Sequence, residues 1–314
     1  MSDKGYPSTY AVKHKDENVR SNSRSGGVFT ALSDFVLEQG GIVYGCVMKN
    51  TTEAVHIRAT TKAERDLMRG SKYIQSEMGQ AFRLVKEDLD AGKMVLFSGT
   101  SCQVAGLSCY LGKEYANLFL VDILCHGVPS QHVWKLFVEW EESKYGKSKT
   151  VDFRNKIDYG WKEHVETIKF IDNRSISSKI YTSIFYGHYS LRPCCYECKY
   201  KTVSHPGNLT IADYWEIDRA LPGFNDNKGV SLVFVNDECG KDLLKTIEDD
   251  LVCVQTNYED STRPSMFKSA HCPENRKQFW HDINTRSFEY VAKKYGGYGT
   301  FNNIKRMIKK LIHR

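Results

Sequence analysis

SGTSCQVAGLSCYLGKEYANLFLVDILCHGVPS, residues 98–130, alternates apolar runs with cysteine-bearing turns. The run MVLF at 94–97 leads into a turn carrying Cys102, and LFLVDIL at 118–124 leads into one carrying Cys125. Both cysteines are expected at strand ends. Between them VAGLSCYL, closed by Gly112, is long enough for a short helix, so the stretch reads as a parallel βαβ unit with a right-handed crossover. Its two turns emerge on one sheet edge, where ligands bind in open α/β sheets. The expected fold class is therefore α/β, a partly parallel sheet flanked by helices.

Upstream, GQAFRLVKEDLDAG at 79–92 is a helical pattern with Phe82, Val85 and Leu89 inward and Gly92 as its stop. IVYGCVM at 42–48 and AVHIRA at 54–59 read as a strand pair. In NSRSGGVFTALSDFVLEQGG at 22–41, Val28, Leu32, Phe35 and Val36 share one helical face behind Ser25, Gly26 and Gly27. This entry leaves first-turn N–H groups open to an anion such as a cofactor phosphate; an ordinary helix cap is the plainer alternative. RGSKYIQS at 69–76 is on its own a connector. Residues 1–22 lack periodicity apart from STYAV at 8–12, and are expected to wrap the domain rather than build it.

Downstream, Ser130 is a candidate N-cap for a helix presenting Val133, Trp134, Phe137 and Trp140 on one face. From 150 the segments TVDF, HVETIKFI, KIYTSIF, LTIADYW and GVSLVFV suggest antiparallel or mixed strands. Helical patterns follow at 239–249 and 275–294. A soft boundary near 147 divides an α/β part, 1–147, bearing the Cys102 and Cys125 turns, from an α+β part, 148–314, bearing Cys195, Cys198 and a basic terminal helix. That tail, residues 301–314, separates Ile304, Met307, Ile308 and Leu311 from its lysines and arginines, which suits peripheral docking on a membrane surface or an acidic partner.

Ten cysteines in 314 residues, with 41% hydrophobic content, belong to a globular chain. No run of about 18 apolar residues marks a transmembrane segment, and the N-terminus has no apolar h-region, so a cytoplasmic protein is expected. Thiols stay reduced there, and clustered cysteines then read as metal-binding or catalytic. The net charge of +6 is spread along the chain without a nucleic-acid-binding motif beside it, so nucleic acid is not an expected partner.

SLRPCCYECKYK at 190–201 holds the densest cluster. Its C-x-x-C, Cys195 and Cys198, is alone compatible with a redox pair, half a zinc site or half a cluster site. With Cys102 and Cys125 it makes four thiolates, which suit structural zinc or a 4Fe-4S cluster. Two of the four come singly from a ligand-binding sheet edge rather than as a close pair, which favours iron. Cys194 competes with Cys195 as ligand. Cys46, Cys109, Cys239 and Cys253 read as small buried hydrophobes.

SGGVFTAL, RGSKYIQS, FSGTSCQVAGL, VDILCHGVPS, RPCCYECKYK and LTIADYWEI followed by KGVSLV together resemble the coenzyme F-420 hydrogenase/dehydrogenase beta-subunit family of flavin iron–sulfur proteins. The resemblance spans roughly residues 8 to 236. Where that family has GTPCQ and RPS, this chain has GTSCQ and RPC, which places Cys194 at a serine position and Cys195 at the ligand position. The resemblance implies an oxidoreductase with FAD beside a 4Fe-4S cluster held by Cys102, Cys125, Cys195 and Cys198. It brings Ser25, Gly26, Gly27, Lys72, Tyr73, Gln75, Gly99, Thr100 and Asp213 to the FAD, and His126, Lys72 and Tyr73 are candidates for proton transfer by position. The expected partners are a separate ferredoxin-like electron carrier and a small-molecule hydride acceptor or donor, either the deazaflavin coenzyme or a biosynthetic intermediate such as a sugar or lipid. The competing reading is a zinc-stabilised scaffold without redox activity.

Overall fold

The computed structural model describes residues 7–299, so the tail at 301–314 lies outside the described residues. The chain opens with β1 (Ser8–His14) and the helix Val28–Glu38, then forms the antiparallel pair β2 (Ile42–Met48) and β3 (Ala54–Ala59). The short β4 (Ser76–Glu77) and the helix Ala81–Asp90 lead to β5 (Val95–Thr100), the helix Ser101–Leu111, β6 (Leu118–Ile123) and the helix Gln131–Tyr145. A small antiparallel sheet follows, β7 (Ser148–Asp152), β8 (Glu166–Phe170) and β9 (Ser175–Ser178). The chain returns through the helix Ile180–Tyr186 to β10 (Leu209–Asp213), β11 (Ser231–Val235) and β12 (Leu251–Thr256), and the described part ends with the helices Arg276–Thr285 and Phe288–Tyr295.

The large sheet has nine strands in the order β12-β1-β11-β10-β6-β5-β2-β3-β4. Its centre, β10-β6-β5-β2, is parallel, and β5 and β6 run in register from Val95 opposite Leu118 to Thr100 opposite Ile123, as the opening stretch predicts. Parallel strands buried on both faces read as continuous apolar runs because successive side chains enter different cores. Val43, Leu96 and Val121 meet Val28, Ala31, Leu32 and Val36 on one face. Ile42, Tyr44, Val95 and Phe97 meet Val85, Leu89, Val104 and Leu107 on the other. Each such side chain stabilises the fold by about 1.5–3 kcal/mol. A third cluster centres on Trp134, whose Nε1–H donates to the Thr51 carbonyl at 2.8 Å while its ring packs with Phe137, Phe153 and Tyr181.

Two segments differ from expectation. STYAV does not wrap the domain: β1 lies inside the sheet, antiparallel to both β11 and β12. KIYTSIF is helical rather than extended, because Ile180, Tyr181, Ile184 and Phe185 are buried with helical spacing. The buried Glu166 carboxylate also accepts from the Tyr181 N–H at 3.0 Å and the Thr182 hydroxyl at 2.6 Å, satisfying the first turn. Residue 147 falls where the chain leaves the large sheet for the small one, and β10, β11 and β12 bring it back.

Candidate functional site

The carboxyl ends of β5 and β6 and the C-x-x-C segment enclose a cavity of about 30 Å³. Cys102, Cys125, Cys195 and Cys198 all line it, and Cys194 does not. Cys102 sits in the first turn of the helix Ser101–Leu111, with the Thr100 hydroxyl 3.2 Å from its sulfur. Cys125 lies two residues past the end of β6. Cys195 closes a short 3-10 turn begun by Pro193, and the Val128 N–H donates to its sulfur at 3.4 Å. The Cys198 N–H donates to Ser269 Oγ at 2.9 Å. Among the described residues, no group of three His, Cys, Asp or Glu side chains is placed to hold a single metal ion.

Burial pushes the Cys125 thiol up to about 12 and raises Cys195, while burial also lowers the Lys201 ammonium on the same wall. Water-deprived thiols resist ionisation on their own, whereas coordination to a metal removes the proton outright. The donor set therefore suits a group that carries its own positive charge, with Lys201 beside it as a fixed cation.

This cavity shares Thr100, Cys102, Cys125, His126 and Lys201 with a larger one of about 930 Å³. Such a volume lies at the upper end of ligand sites, which span about 300–1,000 Å³. Ser25, Gly27, Lys72, Tyr73, Gln75, Gly99, Thr100, Asp213 and His126 all line it. Gly26 stands outside the wall: its N–H donates to Ser231 Oγ at 2.9 Å, and a Cβ there would lie 2.1 Å from the Val12 carbonyl oxygen. Gly27 begins the helix Val28–Glu38 at φ +95°, and no side chain caps that first turn.

Lys72 is anchored rather than free. Its ammonium donates to the carbonyls of Leu67, Met68, Arg69 and Gly70 at 2.7–3.1 Å, and burial lowers its pKa to about 8. Tyr73 stacks on Phe185 with ring centres 5.0 Å apart, and its hydroxyl accepts from Arg154 at 3.4 Å. His126 is open to the cavity between Phe185 and Tyr186, with its Nε2 2.9 Å from that of His188. Desolvation by the surrounding wall, then the nearby His188 and Lys201, lower it to about 4, so the ring is neutral at neutral pH.

Another part of the wall is built on Asp213. Burial raises this carboxyl, but Arg154 and Arg24 outweigh burial and hold it below the usual carboxylate range. Arg154 binds it directly, and Trp161 Nε1–H donates to it at 2.9 Å. Arg24 donates to the carbonyls of Arg154 and Trp161 at 2.6 and 2.5 Å. Trp215 stacks on Trp161 at 5.4 Å with the Arg154 guanidinium 5.1 Å from its ring centre. The result is a cationic, aromatic patch in the cavity wall.

Sequence reasoning missed Arg24, Arg154, Trp215, His188 and His205, which line or flank these cavities. Arg154, His188 and His205 come from segments without a motif, whereas Arg24 and Trp215 lie inside NSRSGGVFTALSDFVLEQGG and LTIADYWEI and were passed over there. Cys109 and Cys239 are exposed rather than buried, and Cys272, also exposed, had no reading.

A profile for the C-terminal part of the coenzyme F420 hydrogenase/dehydrogenase beta subunit matches residues 92–261, and one for the N-terminal part matches residues 9–83. No curated protein matches the chain. Among solved structures, a chain of the F420-reducing [NiFe] hydrogenase complex from Methanosarcina barkeri superposes with a TM-score of 0.56 at 17% identity, covering 94% of this chain and 95% of that one. At that identity the likeness is one of fold.

Proposed function

This chain belongs to the coenzyme F420 hydrogenase/dehydrogenase beta-subunit family, a family of oxidoreductase subunits, and on that premise we propose that it is an FAD- and 4Fe-4S-dependent oxidoreductase. It passes electrons between a ferredoxin-like carrier and a small organic hydride acceptor or donor. The observation that carries this reading is the convergence of four cysteines from three separate segments on one small cavity that shares a wall with a dinucleotide-sized one.

FAD exchanges a hydride with organic partners and single electrons with iron–sulfur clusters. Everything else falls to the chain. Cys102, Cys125, Cys195 and Cys198 hold the cluster, and Lys201 offsets its negative charge. The uncapped first turn after Gly27 offers backbone N–H groups to the FAD pyrophosphate. Gly99 and Thr100, at the end of β5, let the nucleotide approach the sheet edge. The neutral His126 holds or accepts a proton at the junction of the two cavities, and His188 connects it towards the surface. Arg154, held by Asp213, and Trp215 receive the organic partner, for which an aromatic, anionic molecule such as the deazaflavin coenzyme has the matching chemistry.

The test is a visible spectrum of protein purified without oxygen, with iron, sulfide, zinc and flavin assayed on the same sample. The expected result is one FAD with about four irons and four sulfides per chain. Zinc without flavin overturns the redox reading in favour of a structural site.

A further inference from the structure

Asp122, in the middle of the large sheet, is fully buried. Ser101 Oγ donates to it at 2.5 Å, Thr210 Oγ1 at 2.7 Å, and its remaining partner is His205 Nδ1 at 2.9 Å. The loop after the C-x-x-C can close on this carboxylate because Gly207 lacks a side chain: a Cβ there would lie 2.8 Å from Asp122 Oδ1. His205 is itself 1% exposed. Its other nitrogen, Nε2, is buried with no hydrogen-bond partner, and the residue lines the same small cavity as the four cysteines. Buried polar nitrogens are ordinarily paired, and leaving one unpaired costs about 1–3 kcal/mol. A histidine whose first nitrogen is fixed by a carboxylate while its second faces a metal site is a recurrent way of orienting the ring.

We propose that His205, oriented by Asp122, directs Nε2–H at a sulfur of the iron–sulfur cluster and thereby raises the cluster's reduction potential. The inference rests on the cofactor reading given above. Four thiolates occupy the four irons of such a cluster, so a fifth group on its surface meets sulfur, an acceptor. With Nδ1 committed to Asp122, a ring donating from both nitrogens has that buried carboxylate as its counter-charge. Hydrogen bonds to the sulfurs are among the factors that set cluster potential, and a donor favours the more negatively charged reduced state. His205 is thus a tuning residue, not a ligand, and Asp122 is its positioning residue.

The experiment uses the full chain with its cofactors, labelled with ¹⁵N-histidine. Iron and sulfide are assayed first: a wild-type protein without a cluster removes the cofactor reading and this proposal with it. Given a cluster, electron–nuclear double resonance of its reduced form is expected to show a weakly coupled ¹⁵N that persists in His126→Gln, the other histidine lining the cavity, and vanishes in His205→Asn. Asparagine reproduces Nδ1 towards Asp122 but lacks Nε2. The reduction equilibrium of His205→Asn is expected to weaken about tenfold, about 59 mV for one electron, with iron content unchanged. His205→Gln, which places an amide N–H near the Nε2 position, is expected to restore the wild-type potential. Absence of ¹⁵N coupling in the wild type, its loss in His126→Gln alone, or an unchanged potential in His205→Asn overturns the proposal while leaving the cofactor reading intact. Should the His205 variants not fold, the wild-type and His126→Gln spectra decide the matter.

Discussion

Two regions of the shared cavity's wall bury different kinds of polar group. In the Asp213 region the charged groups have protein partners: Arg154 meets Asp213, Arg24 meets backbone carbonyls, and Lys156 donates to the carbonyls of Arg20 and Ser23 at 2.7 and 3.0 Å, while Arg24 Nε and Arg154 Nε are buried without a partner. Around the cysteines the groups are mainly thiols, with Lys201 donating to the Met266 carbonyl at 3.2 Å. Thiols are pushed up, the lysine beside them is pushed down, and His205 Nε2 has no partner. One region holds its charges with an ion pair and backbone carbonyls, and the other gathers thiols that a bound metal would deprotonate. On the proposed function, the first region is a preorganised reception site and the second is a site whose folding is coupled to its cofactor.

The most drastic way to break the contrast is to remove one cysteine from the thiol cluster. Cys198→Ser is expected to lower iron from about four per chain to well under one, with increased protease cleavage near residues 190–205, where the C-x-x-C loop loses its anchor. Iron assay and limited proteolysis check both. Retention of a full complement of iron would show that Cys198 is not a ligand. At Asp213 the effect is large but not total. Asp213→Ala strands the buried Arg154 guanidinium, which costs about 3–5 kcal/mol, measured by urea unfolding, whereas replacing both partners with apolar residues is nearly neutral. The pH dependence has a definite sign. Because the folded carboxyl lies below its ordinary value, its contribution is present above the unfolded carboxylate pKa and is lost as pH falls through the depressed folded one.

Legibility in the sequence follows the same division. MVLF and LFLVDIL revealed the parallel pair because a strand buried on both faces must be apolar at every position. Cys125 was legible because it follows such a run at once, and Cys102 because its run leads into the glycine-containing turn that carries it. The Asp213 region was not, since Arg24, Arg154 and Trp161 meet through contacts 130 and 137 residues apart, closed by backbone carbonyls that any residue can provide. KIYTSIF was misread for a related reason. Seven residues with apolar positions at both strand and helix spacing are decided by Glu166, which supplies an anion to the first helical turn from a neighbouring strand. Asp122 was hidden inside an apolar run, where its three donors come from three different elements.

A smaller effect sharpens the contrast. His56 is 8% exposed, its Nε2 is 3.1 Å from the Ser98 carbonyl oxygen, and its Nδ1 is buried without a partner. Burial lowers its pKa from 6.5 to about 4. The unfolded chain takes up this proton first as pH falls, so stability is present above 6.5 and declines between 6.5 and about 4. Between pH 6.5 and about pH 5 this one group removes about 2 kcal/mol. Urea unfolding across that range is expected to show a shallower decline in His56→Phe than in the wild type. Equal slopes would mean that His56 titrates normally and that its buried nitrogen reaches water.

The smallest effect is expected at the rim, where Lys162 pairs with Asp218 at 3.0 Å and both side chains are more than half exposed. Water screens such a pair and each side chain loses rotamer freedom in making it, so Lys162→Ala is expected to change unfolding stability by about 0.5 kcal/mol or less. The weakness of the pair has a consequence for binding, since Lys162 lines the large cavity and little holds it to Asp218. Arg154 cannot leave Asp213 without stranding a buried charge, but Lys162 can turn towards an incoming anion at almost no cost to the fold. Loss of binding in Lys162→Ala should accordingly shrink as salt is raised, because a screened rim charge contributes less. A stability loss above about 1.5 kcal/mol would instead place Lys162 with the interior charges, and the division between a fixed interior and an adjustable rim would fail at that residue.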